Sequence, residues 1–578
     1  MIVNLILQIM KKYYRSILKL KIFVIAGVLF LSGIQLFARE NIGSKSQSSV
    51  PPSDPKKDLM KMGSGCAPAS AQREMAVNNV RTTILNAGDM WWNLISAKYE
   101  IPKVLPGQVP KYSLFAGALW IGGVTNSNIR IAAQTYRQNG NDFYPGPLTI
   151  GTASISSDEC LKYDRIWSVQ LTDIDNFRNN SDNWLTPSDD ILTWPCNGNT
   201  DAGEAKFIAP FYDANGNGKY EPTKGEYPTF DMNSYKNIPD QMMVIVYNDK
   251  GNIHSETSGV PIGLELMTQC FAYSTNDEIN NMTFYRSTVT NRSTETIDSC
   301  VFGEWVDPDL GNYSDDYVEC DVTRNLGICY NGEDVDPGIM GYGINPPSVG
   351  VNFFQGPKRP DGSEIGLTKF VYYVNDFSTI GNPQKPEQYW GYLNGRWKDG
   401  APITYGGQGK GGTDTASFMF PGLTDPAGRP NWTEVTAGNQ PGDRRFLQTA
   451  GSFKLLPGAV NNVTIGVVWA RTTSGGARGS FNLLKIASDK AYALFKNNFN
   501  LIQGPKAPTL QITELANQLI FTITNTDSKD ANKLVENYTD SFTSGCTFKS
   551  VYKFQGYQLF QLKTASIPND FYDPEINA

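Results

Sequence analysis

Histidine is almost absent from this sequence, because its 578 residues include only one, His254. A lone histidine excludes metalloproteases of the HExxH type and zinc or iron centres built from several histidines. A Ser-His-Asp triad would have to use His254, and no GxSxG motif accompanies it. We interpret His254 as a surface turn residue, because its neighbours are Gly, Asn and Ser-rich.

Charge and cysteine are also scarce. Charged residues make up 19% of the chain, with 50 Lys+Arg against 57 Asp+Glu, and the basic residues form no stripe, which argues against nucleic acid as a partner. Aromatic residues reach 12%, with 54 Gly and 34 Pro, a composition typical of a β-rich extracellular protein. The length favours two to four domains rather than one core.

The N-terminus has the pattern of a targeting segment. A basic region around Lys11–Lys21 precedes the apolar run Ile22–Phe37, and Leu36-Phe37-Ala38 is an acceptable cleavage site. The run is shorter than the roughly 20 residues of a membrane-spanning helix. We predict a cleaved signal peptide over 1–38, with an uncleaved anchor as the alternative, and no transmembrane segment in the mature chain.

Export would permit disulfides, although 8 cysteines without a CxxC motif argue against a cysteine zinc site. We take two pairs as disulfide candidates, Cys160 with Cys196 and Cys320 with Cys329. The sequence alone does not establish the pairing.

The chain divides into segments of different character. The Ser/Pro/Lys-rich stretch 39–75 is predicted to be a disordered leader, followed by an N-terminal β-rich region, 76–240, with a short helical insertion. Residues 241–504 are predicted to form a central β-sandwich that ends in an amphipathic helix. Its core candidates include Leu455, Val463, Ile465 and Val467. Residues 505–578 resemble the first half of a fibronectin-III-like module. The predicted fold class is mainly β, with several antiparallel β-sandwiches.

Residues 211–228 contain a DxNxNG loop, which is a calcium-binding pattern. Position twelve should be an acid and is Lys224, so Glu226 would have to complete the ligands. The alternative is a turn whose side chains cap their own backbone. The candidate metal ligands are Asp213, Asn215, Asn217, the carbonyl of Lys219, and Glu226.

A second acidic loop, 307–321, lies between two strand-like runs. Carboxylates so close together repel one another unless a cation or solvent screens them, so the alternatives are a calcium site and a solvated acidic turn. The candidate ligands are Asp307, Asp309, Asp315, Asp316 and Asp321.

Paired carboxylates also leave glycoside hydrolysis open, because that reaction requires only two suitably spaced acids. Glu265, Glu304, Asp307 and Asp309 could supply them. Six tryptophans could stack on sugar rings, although a place in the core is the commoner fate of such residues: Trp91, Trp92, Trp120, Trp305, Trp390 and Trp397.

Several stretches together resemble a group of large, mostly uncharacterised secreted proteins from bacteria that use type IX secretion: AGALWIGG, AAQTYRQNGNDFYPGPL, DANGNGKYEPTKGEYP, WVDPDLGNYSDDYVECD and PGDRRFLQTAGSFKLLPGAV. The resemblance covers the chain from about Asn79 onward. It implies secretion or display on the outer surface, with the type IX machinery as a partner, although the C-terminal sorting domain of such proteins is missing here. It supplies no catalytic residues.

We expect an exported, non-enzymatic adhesion or interaction scaffold that is stabilised by structural calcium. Surface glycans or other surface proteins would be its partners. The alternative is a secreted carbohydrate-binding or glycoside-hydrolysing protein.

Overall fold

The computed structural model describes residues 65–234, 236–499, 509–524, 537–539 and 551–553. The predicted signal peptide and residues 39–64 of the predicted leader lie outside these ranges. Within them the fold is mainly β and antiparallel, which confirms the predicted fold class.

The described part of the chain contains 24 strands, which are joined mostly by turns. In chain order they are β1 (Gln72–Met75), β2 (Thr82–Leu85), β3 (Asp89–Met90), β4 (Tyr99–Glu100), β5 (Tyr112–Thr125), β6 (Asn128–Ala132), β7 (Tyr144–Pro145), β8 (Trp167–Gln170), β9 (Gln241–Asn248), β10 (Leu264–Ala272), β11 (Thr283–Asn291), β12 (Ile297–Pro308), β13 (Asp316–Asp321), β14 (Leu326–Asn331), β15 (Val335–Asp336), β16 (Gly343–Ile344), β17 (Ser348–Gln355), β18 (Lys369–Val374), β19 (Arg444–Leu455), β20 (Val460–Ala470), β21 (Thr509–Leu515), β22 (Gln518–Thr524), β23 (Asn537–Thr539) and β24 (Val551–Lys553).

Helices are few. The α-helices are α1 (Ser157–Tyr163), α2 (Leu171–Asn179), α3 (Asp189–Leu192), α4 (Pro386–Leu393) and α5 (Gly476–Lys496). Short 3₁₀ turns cover Ser181–Leu185, Thr200–Ala202, Pro222–Lys224, Glu278–Asn281, Tyr313–Asp315 and Val322–Arg324. Among the described residues no helix has both the length and the apolar character that a membrane crossing requires.

Two nine-stranded sheets form the body of the protein. Sheet I has the order β1-β2-β3-β5-β12-β19-β18, with β4 and β6 also paired to β5. Sheet II has the order β13-β14-β17-β20-β11-β10-β9-β7, with β8 paired to β9. Strands from both sides of residue 240 pair directly, for example β5 with β12 and β8 with β9. Residue 240 is therefore not a domain boundary, which corrects the division drawn from composition.

The sheets pack against each other through an aromatic and aliphatic core. Its members alternate along each strand, as in Val463, Ile465 and Val467 of β20, which were predicted to be core residues and are buried. Two tryptophans of this core form hydrogen bonds from one sheet to the other. The indole N–H of Trp91 donates to the Tyr285 hydroxyl at 2.8 Å, and that of Trp469 donates to Ser113 at 3.2 Å.

Sheet II is covered on its other face as well. Leu266 of β10 faces the core between the sheets, whereas its neighbour Met267 faces a second core. The second core is formed with α5 and the helical segment 157–240, so the predicted insertion does pack on the β body. In α5, Leu484, Ala491 and Leu494 are buried as the helical period predicts, but Ile486 lies on the exposed side.

The N-terminal end of the described chain belongs to the fold. Residues 65–75 were predicted to be part of a disordered leader, yet β1 pairs with β2 and Cys66 is buried. Cys66 forms a disulfide with Cys160, with the two Cα atoms 5.8 Å apart. This pairing ties the start of the fold to α1.

Both predicted disulfides are therefore wrong. Cys160 is bonded to Cys66, and Cys196 is a buried thiol. Cys329 is paired across the ladder with Val318, and Cys320 with Gly327. The two cysteines are thus diagonal neighbours, a relation that separates Cα atoms by about 7–8 Å, beyond disulfide reach.

The C-terminal region adds small sheets of its own. β21 pairs with β22, and β23 pairs with β24, outside the two large sheets. The remainder of the predicted fibronectin-III-like half-module lies outside the described residues, so that assignment stays a prediction.

Candidate metal centre

Three carboxylates meet where β12 ends and β19 begins. Within the described residues, Asp307, Asp309 and Asp443 are the one group of at least three acidic, Cys or His side chains whose ligand atoms all lie within 4.8 Å of one another. The antiparallel register explains the meeting, because Val306 pairs with Phe446. Asp307 and Asp309 follow Val306 by one and three positions, and Asp443 precedes Phe446 by three, so the antiparallel strands bring all three acids to one end of the sheet.

One cation already lies in this cluster. The guanidinium of Arg445 donates to Asp443 at 2.7 Å and to Asp307 at 3.4 Å, and its side chain is only 4% exposed. Three carboxyl groups thus share one guanidinium, with Asp307 and Asp309 buried and Asp443 partly exposed. A divalent cation that prefers oxygen ligands would offset negative charge at such a place.

Neutral oxygen and amide groups surround the acids. The Tyr136 hydroxyl donates to Asp307, and the Asn375 amide donates to Asp443 at 3.2 Å. Burial raises the pKa of Tyr136 well above its usual value; Arg445 lowers it and Asp307 raises it. Tyr136 therefore keeps its proton, and the donor set consists of hard oxygen atoms, which suit calcium or magnesium.

Two further predicted ligands lie next to the cluster. The Asp316 carboxylate accepts the backbone N–H of Leu310 at 3.0 Å, and burial raises its pKa well above the usual value, with the charges of Asp315 and Asp443 adding to the shift. Asp315 accepts the amides of Asn312 and Asn331, and burial raises its pKa to about 6. These carboxyl groups extend the acidic cluster toward β13.

Asp321, also predicted to be a ligand, is placed elsewhere. It lies at the opposite end of β13, where its carboxylate accepts the backbone N–H of Arg324 and pairs with the side chains of Arg324 and Lys485. Asp321 does not join the cluster because five positions of extended chain carry it away from Asp316.

The DxNxNG loop is a compact surface turn. Asp213 accepts the backbone N–H groups of Gly216, Asn217 and Gly218 at 2.7–3.2 Å. The Oδ1 atoms of Asn215 and Asn217 accept the N–H groups of Asn217 and Lys219. The hydrogen bonds are those of the alternative interpretation, in which the side chains cap their own backbone.

Two glutamates support this turn. Glu226 is buried beneath it and accepts the N–H groups of Ala214 and Glu221. Glu221, which the sequence analysis did not select, accepts the side-chain amides of Asn215 and Asn217. Calcium at this loop stays a prediction.

Of the four acids proposed for sugar chemistry, only Asp307 and Asp309 come together, in the cluster described above. Glu304 and Asp307 are separated by an odd number of positions on β12, so they face opposite sides of sheet I, while Glu265 pairs with Arg292 at 2.6 Å. Five of the six tryptophans are buried, Trp390 being partly exposed. Trp120 and Trp305, for example, stack on each other beneath α4.

His254 is a buried structural residue rather than a surface turn residue. Its two ring nitrogens contact the carbonyl oxygens of Ile131 at 2.8 Å and Asp249 at 2.5 Å. Both nitrogens are engaged by the backbone, so neither has a nucleophile as its partner.

Sequence reasoning missed Asp443, Asn375 and Arg445 as members of the acidic cluster. Asp443 and Arg445 stand in PGDRR, where an acid followed by two bases is the only local sign of the cluster. Arg445 is 138 positions from Asp307 in the sequence. The chain matches no protein-family model and no curated protein.

Proposed function

We propose that this protein is an exported interaction scaffold, secreted or held on the outer cell surface, whose sandwich is stabilised by calcium. The observation that carries the proposal is the convergence of the carboxyl groups of Asp307, Asp309 and Asp443 at the junction of β12 and β19. A calcium ion there would be held by these three carboxylates and would tie the end of β12 to the loop before β19.

The disulfide supports the export part of the proposal. Cys66 and Cys160 are bonded across 94 positions of sequence, and such bonds persist in oxidising compartments. The predicted signal peptide and the resemblance to type IX cargo agree with that location. We propose the type IX machinery as the partner in export.

A non-enzymatic role is supported by how the polar groups are used. The Glu265 carboxylate accepts the N–H of Leu148 and pairs with Arg292. The ring nitrogens of His254 are both held by carbonyl groups. These groups hold loops to strands, which is a structural role and is consistent with a scaffold.

The test is thermal unfolding of the full-length chain, first loaded with calcium and shown by metal analysis to contain it, then treated with EGTA. We expect the melting temperature to fall, because a ligand that binds only the folded state stabilises it by mass action. Adding magnesium in place of calcium separates the two ions. An unchanged melting temperature after proven removal of the metal would refute structural calcium.

A further inference from the structure

The outer face of sheet II changes character along its strands. On β11, Phe284 packs in the core beneath α5 and the insertion, whereas Arg286 and Thr288, on the same face, lie beyond that cover. On β20, Val468 is in the same core, whereas Asn462 is exposed. The alternate residues face the other sheet, and most of them are apolar, such as Val289, Val463 and Ile465. The sequence therefore makes one half of this face apolar and the other half polar.

Two rows of polar side chains cross the strands at this place. Gln269, Arg286 and Thr464 occupy paired positions on β10, β11 and β20, and Thr464 donates to Gln355 of β17 at 3.2 Å. In the next row Thr288 donates to the Asn462 carbonyl oxygen at 3.0 Å. The side-chain oxygen atoms of Gln355 and Asn462 accept these hydrogen bonds, so the amide N–H groups of the same two side chains are directed outward.

The floor is rigid. Arg286 donates to Gln269 at 2.9 Å and to Asp231 at 2.9 Å, and its guanidinium lies 3.8 Å from the centre of the Phe230 ring. With its charge neutralised by Asp231, Arg286 acts as a fixed polar surface. The rows are thus held in place before any ligand arrives, which lowers the entropic cost of binding.

Two adjoining depressions of about 560 and 370 Å³ lie over these rows. They share Gln355, Val460 and Asn462, so together they form one elongated cleft. Its volume is in the range of ligand sites, roughly 300–1,000 Å³. A chain-like ligand would fill both parts, whereas a compact one would occupy one.

The two parts of the cleft differ in charge. In the larger depression two acidic and two basic side chains balance: Asp231, Glu364, Arg286 and Lys496. The smaller one is lined by three basic side chains and no acidic one, Lys358, Arg359 and Lys454. It also presents the apolar side chains of Leu456 and Val460, both about half exposed.

We propose that this cleft binds a segment of an acidic polysaccharide. Gln269 and Thr464 are fully buried and only support the floor, whereas the polar groups of Gln355, Thr288 and Asn462 are accessible and match the hydroxyl groups of sugar rings. The exposed Leu456 and Val460 match the C–H faces of the rings, and the basic end matches a carboxylate or sulfate. The inference deepens the interaction role proposed above and rests on it, since it names the site and the chemical class of the partner.

An acidic peptide fits the cleft less well. Extended peptides commonly bind by adding a strand to an open sheet edge. The floor here consists of side chains on β10, β11, β20 and β17, all of which have neighbours on both sides in sheet II. The cleft therefore offers side chains rather than unpaired backbone groups.

Three probes separate these contributions in calorimetric titrations of the full-length chain at physiological ionic strength. Carboxymethyl dextran carries sugar rings and charge, dextran carries rings alone, and poly-L-glutamate carries charge alone. We expect carboxymethyl dextran to bind more tightly than either of the others. The cleft variant is Lys358→Glu/Arg359→Glu, and its charge-matched control is Lys206→Glu/Lys385→Glu, whose exposed lysines do not line the cleft.

The cleft variant should bind carboxymethyl dextran at least about tenfold more weakly, since two exposed charge contacts are reversed. The control should bind as the parent does, and Asn462→Ala should weaken binding without changing net charge. Equal or tighter binding of poly-L-glutamate would assign the cleft to an acidic peptide and overturn the proposal. Equal losses in cleft variant and control, or no binding of carboxymethyl dextran, would also overturn it.

The same proteins are unfolded with and without EGTA. A calcium-dependent melting temperature that persists in a chain without polysaccharide binding would leave the scaffold stabilisation standing while the cleft assignment fails. Binding in a chain whose melting temperature ignores EGTA would show the reverse.

Discussion

Two acidic regions of this protein look alike in sequence and differ in structure. The loop 213–226 collects its polar groups from one short stretch, and Asp213 uses both carboxylate oxygens on its own backbone. The cluster at Asp307, Asp309 and Asp443 collects its groups from separate strands and encloses Arg445. In the first region, hydrogen bonds within one short loop satisfy the acidic side chain. In the second, tertiary structure brings together both the acids and the arginine that pairs with them.

The largest difference should come from removing the positive charge in each region. Arg445→Met leaves the buried Asp307 and the partly buried Asp443 without their guanidinium, and we expect a loss of about 3–5 kcal/mol in the free energy of unfolding. Lys224→Met removes an exposed partner of Glu221 and should change it by less than about 0.5 kcal/mol. Urea unfolding in EGTA measures both.

If Arg445→Met prevents folding, Arg445→Lys provides the comparison, because it keeps the charge but loses the planar guanidinium. Similar stabilities for the Arg445 and Lys224 variants would mean that the cluster is open to solvent, contrary to its burial.

Calcium should distinguish the regions next. At a calcium concentration 100 times the dissociation constant, binding adds about 2.7 kcal/mol to the stability. We expect Asp443→Asn to lose most of this increment and Asp213→Asn to keep most of it, as judged by unfolding with and without calcium. The opposite result would assign the calcium site to the surface loop 213–226 instead.

A smaller effect concerns the glycines of the two loops. Gly311 and Gly218 have nearly the same left-handed backbone, with φ of 72° and 71°, so alanine costs each about 1–2 kcal/mol in backbone strain. A Cβ at Gly311 would also collide with the carboxylate of Asp336 and the ring of Tyr342, whereas at Gly218 it meets the flexible end of Lys206. Gly311→Ala should therefore lower the melting temperature more than Gly218→Ala, and equal shifts would contradict the tighter packing at Gly311.

The smallest effect is on pH dependence. Burial raises the pKa of Asp315 from 3.8 to about 6, so the folded state holds this proton more tightly than the unfolded state. The metal-free protein should lose stability as the pH rises from about 4 through 6. Lys224 first, and then two asparagine amides, lower the pKa of Glu221 to about 2 from 4.5, so its contribution is lost only in more acidic solution.

Melting temperatures in EGTA between pH 4.5 and 7.5 test this contrast. Asp315→Asn should flatten the profile, because the group that releases a proton is gone, and Glu221→Gln should leave its slope unchanged. A parent profile that rises over this interval would contradict the assignment.

The sequence predicted what depends on local alternation. Val463, Ile465 and Val467 were placed in the core by their period of two, and α5 by its period of 3.6. It did not predict Asp443, because no local pattern shows which distant strand will lie beside β12. It also misplaced Asp321, which is near Asp316 in sequence but at the far end of the same strand.

The disulfide and His254 were missed for a related reason. Cys66 stands in a stretch whose composition indicates disorder, but it is buried and forms a disulfide with Cys160, 94 residues away. His254 has polar neighbours in sequence, yet its ring is buried and contacts the backbone carbonyl groups of Ile131 and Asp249. Burial at these positions is decided by tertiary contacts that composition does not reveal.

The order of strands in sheet II also sets an order of folding. β20 lies between β17 and β11, although it is the last of the nine strands along the chain. Until residues 460–470 are present, β13, β14 and β17 cannot join the strands on the other side of that gap. A chain that leaves a translocation pore N-terminus first would therefore hold two incomplete half-sheets until its final central strand emerges. Folding of this kind depends on distant contacts and is intrinsically slow.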